Sequence, residues 1–300
     1  MTRTEAISLQ EFLAHEAKEI DRVLAHWVPG EETEPASIHK AMRYSLFAGG
    51  KRIRPILGLA AARAVSDSPD GVENAVCSLE LIHTYSLIHD DLPALDNDDL
   101  RRGRPTCHKV FGEAMAILAG DSLLTLAFEV LSRLSGVGAE TKIRLVEELA
   151  RASGTVGGMI AGQVHDIEGE RKPPTARLLE SIHRAKTGSL LRASVRIGAI
   201  YAGATTEELA ALSQNGEHVG LAFQIVDDVL DVEASSESLG KTAGKDQAQQ
   251  KITFPAVYGL ERSRHMAEEE RLAAHTALRI FDDRADRLRQ IADYIVRRKA

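Results

Sequence analysis

The sequence predicts an all-α fold of ten or more helices, and three observations support this prediction. Apolar residues recur at helical spacing along most of the 300 residues, whereas the alternation that is typical of strands is nearly absent. Only 4% of the residues are aromatic, while Ala and Leu are abundant, which favours packed helices. No linker, internal repeat or low-complexity tail divides the chain. We therefore expect a single domain, residues 1–300.

Glycine, proline and clusters of polar residues separate the expected helices. The first helix has its apolar residues on one broad side, and the third has Pro55 in its first turn, where proline is tolerated. There are too many segments for a four-helix bundle, so some helices should be central and nearly all apolar. The expected helices cover residues 4–26, 36–47, a segment from just before Pro55 to Val65, 72–91, 112–134, 139–154, 157–168, 175–185, 187–203, 206–231, 251–274 and 284–298.

Composition and charge limit the possible classes of function. The net charge of −7 argues against general nucleic-acid binding, although a local basic pocket for an anionic ligand remains compatible with it. Cys77 and Cys107 form neither a disulfide framework nor a zinc motif. The N-terminal residues resemble no signal peptide, and no run approaches the roughly 18 apolar residues that a membrane span needs. We expect a cytoplasmic protein without a membrane span.

A first cluster of aspartates follows the apolar helix expected over 72–91. Asp90 and Asp91 fall at its C-terminal end, where the backbone carbonyls already carry about half a negative charge. Pro93 prevents a regular continuation and can turn Asp96 back towards Asp90. Magnesium is usually held by one or two carboxylates together with water and substrate phosphate, so this sparse set suits it. A solvated acidic loop is the alternative.

A second cluster, Asp227, Asp228 and Asp231, follows another apolar helical stretch. Asp227 and Asp231 are four residues apart and lie on one helical face, where like charges repel. Gln224, one turn earlier, can form hydrogen bonds beside them. Because the flanking residues are typical of a core, an ordinary surface helix fits poorly. The two clusters together suggest a pocket that holds divalent cations.

Basic residues lie near both clusters, as expected where metal ions and phosphates share a site. Those before the third helix sit near its N-terminus, which favours an anion, and arginine binds phosphate in bidentate fashion. His83 lies seven residues before Asp90 on nearly the same helical stripe. Surface salt bridges, solvated turns and a structural histidine are the alternatives. The basic residues are Lys51, Arg52, Arg54, Arg101, Arg102, Arg104, Arg184, Lys186, Lys241, Lys245 and Lys251.

These residues carry a resemblance to the short-chain trans-prenyltransferases, the polyprenyl diphosphate synthases. The spacing of Asp91 and Asp96 resembles the bacterial-type farnesyl diphosphate synthases in particular. The resemblance implies an all-α bundle of the isoprenoid synthase type around a central cavity, and a homodimer. It rests on segments that follow in order from about residue 40 to 260: GGKRIRP, HTYSLIHDDLPALDNDDLRRGRPTCH, GQVHD, KTGSLL, FQIVDDVLD, LGKTAGKD and KITFP.

The resemblance also implies a role for each matching residue. Three Mg²⁺ ions, or Mn²⁺, would be held by Asp90, Asp96 and Asp227, with Asp91, Asp228 and Asp231 supporting them. The allylic diphosphate would be held by Arg101, Lys186 and Lys241. Isopentenyl diphosphate would be held by Gly50, Lys51, Arg54, His83 and Arg102. Further residues near the metals or phosphates would be Gln163, Asp166, Lys251 and the tail Arg297-Arg298-Lys299, for which a frayed terminus is the alternative.

The implied reaction joins isopentenyl diphosphate to dimethylallyl or geranyl diphosphate and gives (E,E)-farnesyl diphosphate. Thr187 and Gln224 would stabilise the allylic cation, and the released diphosphate would accept the proton. Tyr85 and Ser86, five and four residues before Asp90, would form the floor that limits the product to C15. A geranylgeranyl or geranyl diphosphate synthase and a non-catalytic regulatory subunit are the alternatives. A terpene cyclase fits less well because the second motif is another DDxxD.

Overall fold

The computed structural model describes residues 7–169, 173, 175–237 and 252–298, with the side chains of the longest helix described through Glu233. These residues form an almost entirely helical protein, as the sequence predicts. The α-helices are α1 (Leu9–Trp27), α2 (Ala36–Leu46), α3 (Ile53–Val65), α4 (Val72–Asp90), α5 (Cys107–Phe111), α6 (Glu113–Ser132), α7 (Ala139–Ser153), α8 (Met159–Gly169), α9 (Ala176–His183), α10 (Ser189–Tyr201), α11 (Thr206–Glu237), α12 (Phe254–Tyr258), α13 (Leu260–Ala277) and α14 (Asp286–Arg297).

Shorter elements complete the described chain. A π-helical turn, Arg184–Gly188, joins α9 to α10 and is called the π-turn below. Two 3₁₀ turns, Leu278–Ile280 and Asp283–Ala285, lie between α13 and α14. Strands β1 (Leu100–Arg101) and β2 (Arg104–Pro105) form a small antiparallel hairpin.

The chain divides into two compact units. The first comprises Met1–Leu59 and Pro69–Val146, and the second comprises Ala60–Ser68 and Glu147–Ala300. Each unit contains one of the aspartate clusters. The single domain expected over residues 1–300 stays a prediction.

Helix α4 is the central element of the first unit, where it packs against α1, α2 and α6. Its own side chains are buried on nearly every side of the helix, as expected for a core helix. Gly120 on α6 permits the close approach, because a Cβ at this position would overlap the ring of His89. His89 Nε2 lies 3.0 Å from the carbonyl oxygen of Ile117, so this histidine faces a neighbouring helix.

Helix α11 organises the second unit. It packs along its length against α10, α13 and α14. Near its C-terminal half, Ile225 and Val229 join a core with Leu179 of α9 and Phe254 of α12. This packing brings α12 against the helix that carries the second aspartate cluster.

Several elements differ from the expected ones. The helix expected over 251–274 is two helices, because Gly259 adopts a left-handed φ of +81° between α12 and α13. The helix expected over 187–203 begins inside the π-turn, and α11 continues to Glu237 rather than ending at residue 231. The hairpin and α5 were not expected, since both are too short to show a period in the sequence.

Helix α6 departs from the expectation about apolar runs. It is the one described helix that is long and apolar enough to cross a membrane by length and composition, and 44% of its apolar window is buried. The core helix of a soluble protein meets the same criteria, so α6 does not by itself indicate a membrane span.

Candidate functional site

The first aspartate cluster lies in the turn that follows α4. The N–H of Asp96 donates to the carbonyl oxygen of Asp90 at 2.8 Å, and the N–H of Asp98 donates to the carbonyl of Asp91 at 3.1 Å. The chain therefore folds back after Pro93, which confirms the predicted approach of Asp96 to Asp90. Both residues are half-buried, so their carboxylates lie at the boundary between protein and solvent.

Asp91 points into the protein rather than out of the turn. It is 3% exposed and accepts hydrogen bonds from Arg101 Nε and Nη2, at 2.8 and 2.6 Å from its Oδ1. Burial raises the pKa of the Asp91 carboxyl, and the Arg101 guanidinium opposes this shift. The geometry suits a supporting role for Asp91, which fixes Arg101 beside the metal candidates. The predicted contact of Arg101 with a diphosphate stays a prediction.

A basic cluster surrounds His83, which lies about two helical turns before Asp90 on α4. Burial lowers the pKa of His83 well below its usual range, and the charges of Arg54, Arg102 and Arg101 lower it further. The arginines therefore create a positive field around a neutral imidazole. The Arg102 side chain also lies against Gly50 and donates to the carbonyl oxygen of Gly49. The structure thus brings together four of the residues expected to bind isopentenyl diphosphate; the fifth, Lys51, is exposed on the same loop.

The prediction that Arg52 belongs with the anion-binding residues is wrong. Its side chain is 1% exposed and pairs with Glu80 at 2.7 Å and Asp21 at 2.8 Å. Nη2 also donates to the carbonyl oxygen of Leu46 at 2.7 Å. These partners occupy the guanidinium inside the first unit, so Arg52 holds the loop in place while its neighbours face the basic cluster.

Like the first cluster, the second aspartate cluster, on α11, has one buried carboxylate and two that are partly exposed. Asp228 is 4% exposed, and its two oxygens accept from Gln224 Nε2 at 3.0 Å and from the backbone N–H of Phe254 at 2.9 Å. It therefore attaches the start of α12 to α11, which suits a supporting role. The side chain of Asp227 is 44% exposed and Asp231 is half-buried, so these two reach towards solvent.

The π-turn holds the remaining predicted residues of the second unit. Lys186 Nζ donates to Asp166 Oδ2 at 2.6 Å, and Thr187 Oγ1 donates to Gln224 Oε1 at 2.8 Å. Gly162 of α8 permits the close contact, since a Cβ there would overlap the backbone of Lys186. Single π-helical turns within α-helices are frequent at functional sites. A chain of polar contacts thus runs from the π-turn through Gln224 to the second aspartate cluster.

The C-terminal segment also reaches this cluster. Helix α14 is anchored by Asp293, which pairs with Arg271 at 2.7 Å and with His275 at 2.9 Å. Beyond it, the side chain of Arg298 is 11% exposed and donates to the Asp227 carboxylate. Its guanidinium lies 4.1 Å above the ring of Phe223. Arg298 is therefore not frayed, and sequence reasoning gave no signal for its contact with Asp227.

Tyr85 and Ser86 lie one turn before the first cluster. Tyr85 is 6% exposed, and burial, followed by the charge of Asp90, raises its pKa to about 12. Its ring meets the ring of His89 edge-on at 5.7 Å. The Ser86 hydroxyl donates to the carbonyl oxygen of His83 at 2.9 Å, within its own helix. Their predicted role in chain length stays a prediction.

Hard oxygen ligands are the donors available for a metal. Among the described residues, no group of three or more His, Cys, Asp or Glu side chains could hold a metal ion by itself. Mg²⁺ fits the candidates Asp90, Asp96 and Asp227, because it prefers few carboxylates and completes its shell with water and phosphate. The expected phosphate-binding residues Lys241 and Lys251, together with Lys245 and Lys299, lie outside the described residues.

The buried side chain of His183 leads us to expect that the stability of the protein depends on pH. Burial lowers its pKa from 6.5 to about 4, Asp166 opposes the shift, and Lys186 adds to it. Its Nε2 lies 3.4 Å from Asp228 Oδ2 without a hydrogen bond, and its ring stacks on Phe254. The folded state favours the neutral ring. The contribution of His183 to the free energy of unfolding is therefore fully present above about pH 6.5 and is lost as the pH falls towards 4.

We expect His183→Phe, which can still stack on Phe254, to remove this step. The change in unfolding free energy between pH 7 and pH 4.5 should be smaller than in the parent protein by about 2 kcal/mol. Urea unfolding at both pH values measures it. Equal pH dependence in the two proteins would contradict the assignment to His183, and His265→Phe on α13 provides a control at an exposed histidine.

The comparisons with known proteins agree with the fold and the motifs. The family model described as "Polyprenyl synthetase" matches residues 35–295. A farnesyl diphosphate synthase of Geobacillus stearothermophilus is 48% identical over 271 residues, which cover 90% of this chain and 89% of that protein. Geranylgeranyl pyrophosphate synthase 12, chloroplastic, of Arabidopsis thaliana is 47% identical over 299 residues, covering 98% and 82%.

Solved structures give the same result. The crystal structure of a geranylgeranyl pyrophosphate synthetase from Pyrococcus horikoshii matches with a TM-score of 0.89 and 32% identity, covering 97% of this chain and 98% of that one. This match confirms the predicted isoprenoid synthase fold. The chain therefore belongs to the polyprenyl synthetase family and is a prenyltransferase.

Proposed function

We propose that the protein condenses isopentenyl diphosphate with dimethylallyl or geranyl diphosphate to form (E,E)-farnesyl diphosphate and diphosphate. The main support is the basic cluster around His83 beside Asp90 and Asp96, because a second diphosphate needs its own cationic site. The Geobacillus stearothermophilus relative bears the name of this activity. Several plant relatives are named geranylgeranyl pyrophosphate synthases, so a C20 product is the second candidate.

The predicted site residues have distinct roles in this proposal. Asp90, Asp96 and Asp227 would hold Mg²⁺, which would supply positive charge to neutralise the diphosphate leaving group. Lys186 and Arg101 donate hydrogen bonds to the same diphosphate and stabilise the charge that develops as the C–O bond breaks. Asp166 and Asp91 orient these two donors at 2.6 Å each. Substrate phosphate then competes with carboxylates that already hold the donors in position.

The allylic cation needs stabilisation without a competing nucleophile. Gln224 Oε1 of α11, which accepts a hydrogen bond from the Thr187 hydroxyl of the π-turn, offers a partial negative charge. The double bond of isopentenyl diphosphate attacks the cation, and the adduct then loses a proton. His83 is a weak base because its pKa is low, so we assign proton acceptance to the released diphosphate.

Tyr85 should set the product length in this proposal. We expect Tyr85→Ala to shift the main product from C15 to C20 or longer, because the buried ring would no longer limit the hydrocarbon tail. Chromatography of the dephosphorylated products measures the shift. Tyr85→Phe keeps the ring and should retain C15. An unchanged C15 product from Tyr85→Ala would remove this residue from the floor.

Product analysis with purified protein and Mg²⁺ tests the function itself. Each allylic primer is supplied in turn with labelled isopentenyl diphosphate, and C15 is the expected main product. Mainly C20 product would favour the geranylgeranyl alternative, and mainly C10 the geranyl one. No Mg²⁺-dependent condensation would favour a regulatory subunit on the same scaffold.

We further propose that the protein acts as a homodimer in the cytoplasm and that Mn²⁺ can replace Mg²⁺. Sedimentation equilibrium tests the dimer, and a monomer that is fully active would contradict it. Activity in each metal after treatment with a chelator tests the replacement.

A further inference from the structure

The second unit contains a cavity of about 570 Å³ that has no part in the proposed reaction. It is bounded by α7, the turn at Val156 and Gly157, the π-turn, α10 and α11. Its volume is in the range of about 300–1,000 Å³ that small-molecule sites occupy. The charged residues of its lining are Arg151, Arg184, Arg192, Arg196, Glu148 and Glu217.

Two of the four arginines form ion pairs with carboxylates of α7. Arg196 Nε pairs with Glu148 at 2.7 Å, and its Nη1 donates to the Ser213 hydroxyl at 2.6 Å. Arg151 pairs with Glu147 at 2.6 Å on the surface. The other two arginines of the lining, Arg184 and Arg192, are therefore the candidates for binding a ligand in the cavity.

Arg192 and Arg184 have spare capacity for an anion. Arg192 Nε lies 2.8 Å from Glu217 Oε1, but its orientation gives no hydrogen bond although the atom is buried. Within the part of the chain that the structure describes, the Arg184 side chain forms no hydrogen bond or ion pair. Two guanidinium groups with unused donors towards the described residues favour a ligand with several acceptor oxygens.

Different residues of the π-turn line the cavity and contact the residues with predicted catalytic roles. Arg184 and Gly188 line it, whereas Lys186 and Thr187 of the same turn contact Asp166 and Gln224. None of the lining residues has a role in the proposed reaction. A ligand here would therefore contact the backbone segment that carries Lys186 without competing for its side chain.

We infer that this cavity is a second anion site, which binds a phosphate or diphosphate group through Arg184 and Arg192. The guanidinium fork matches phosphate oxygens and gives charge-assisted hydrogen bonds. Glu217 limits the affinity, because its carboxylate competes with the ligand for Arg192. The inference goes beyond the proposed function and does not depend on it.

Calorimetric titration with inorganic diphosphate, in EDTA to exclude Mg²⁺, tests the site. We expect Arg184→Ala to weaken binding about tenfold, as the loss of charge-assisted hydrogen bonds predicts. Glu217→Gln should strengthen binding several-fold, because it frees Arg192 and removes a negative charge. Arg177→Ala is the matched control: this arginine is exposed on α9, outside the cavity lining, and its loss changes the net charge equally.

A fourth variant separates this inference from the proposed function. Arg101→Ala removes a predicted active-site donor and should leave diphosphate binding at the cavity unchanged, because Arg101 does not line it. If binding falls with Arg101→Ala but not with Arg184→Ala, the diphosphate occupies the active site and the cavity inference is wrong, while the proposed function stands. An equal loss of diphosphate binding with Arg184→Ala and Arg177→Ala would indicate a general charge effect. That result would also contradict the cavity inference.

Discussion

Asp227→Asn is expected to lower the rate of Mg²⁺-dependent condensation by about 100- to 1,000-fold, similar to the loss of one preorganised stabilising group in other enzymes. Asp227 has the more exposed carboxylate of the adjacent pair on α11, whereas Asp228 is committed to Gln224 and Phe254. Removing its charge should weaken the hold on a metal ion without disturbing the attachment of α12.

Steady-state kinetics over a range of Mg²⁺ concentrations measures this effect. We expect kcat to fall and the Mg²⁺ requirement to rise, with thermal stability nearly unchanged. Asp228→Asn should instead lower the thermal stability more than the rate, because it disturbs a buried carboxylate that accepts a hydrogen bond from the Phe254 N–H. Asp286→Asn on α14 serves as an exposed control. A parent-like rate for Asp227→Asn would remove this residue from the metal site.

Arg52→Met is expected to destabilise the protein by about 3–5 kcal/mol, the usual cost of breaking a buried ion pair by removing one partner. The side chain of Glu80 is 3% exposed, so without Arg52 its charge would be buried without compensation. Methionine fills a similar volume, which separates the lost charge from a cavity effect. Urea unfolding measures the difference in free energy.

Neighbouring variants sharpen this test. Lys51→Met changes an exposed charge one residue earlier and should have little effect on stability. Arg52→Met combined with Glu80→Leu should recover most of the loss, because no unpaired charge remains. If Arg52→Met proves as stable as Lys51→Met, the buried pair contributes nothing. If the single variant does not fold, the double variant still tests the pair.

The sequence was informative where local chemistry determines the backbone. Pro93 ends α4, and the predicted return of Asp96 to Asp90 is confirmed by a hydrogen bond of 2.8 Å. The apolar run before Asp90 predicted a central helix, and α4 is buried on nearly every side. Gly259 could have indicated the break between α12 and α13, since glycine readily takes the left-handed conformation.

Other features depend on contacts between distant segments, which periodicity does not reveal. Arg52 and Arg54 have similar sequence surroundings, yet Arg52 pairs with Glu80, 28 residues away. Asp227 and Asp228 are adjacent, yet only Asp228 is buried, where it accepts the backbone N–H of Phe254, 26 residues away. The π-turn has no side-chain signature, because its extra residue is absorbed by the backbone.

The contact of Arg298 with Asp227 has a practical consequence for handling the protein. Because Arg298 donates to the carboxylate of a candidate metal ligand, a tag or fusion partner attached shortly after Arg298 would begin beside that ligand. Such an addition would pull on a side chain that lies against Phe223 and alter the charge around Asp227. Proteins intended for measurements of metal affinity should therefore carry their tags at the N-terminus.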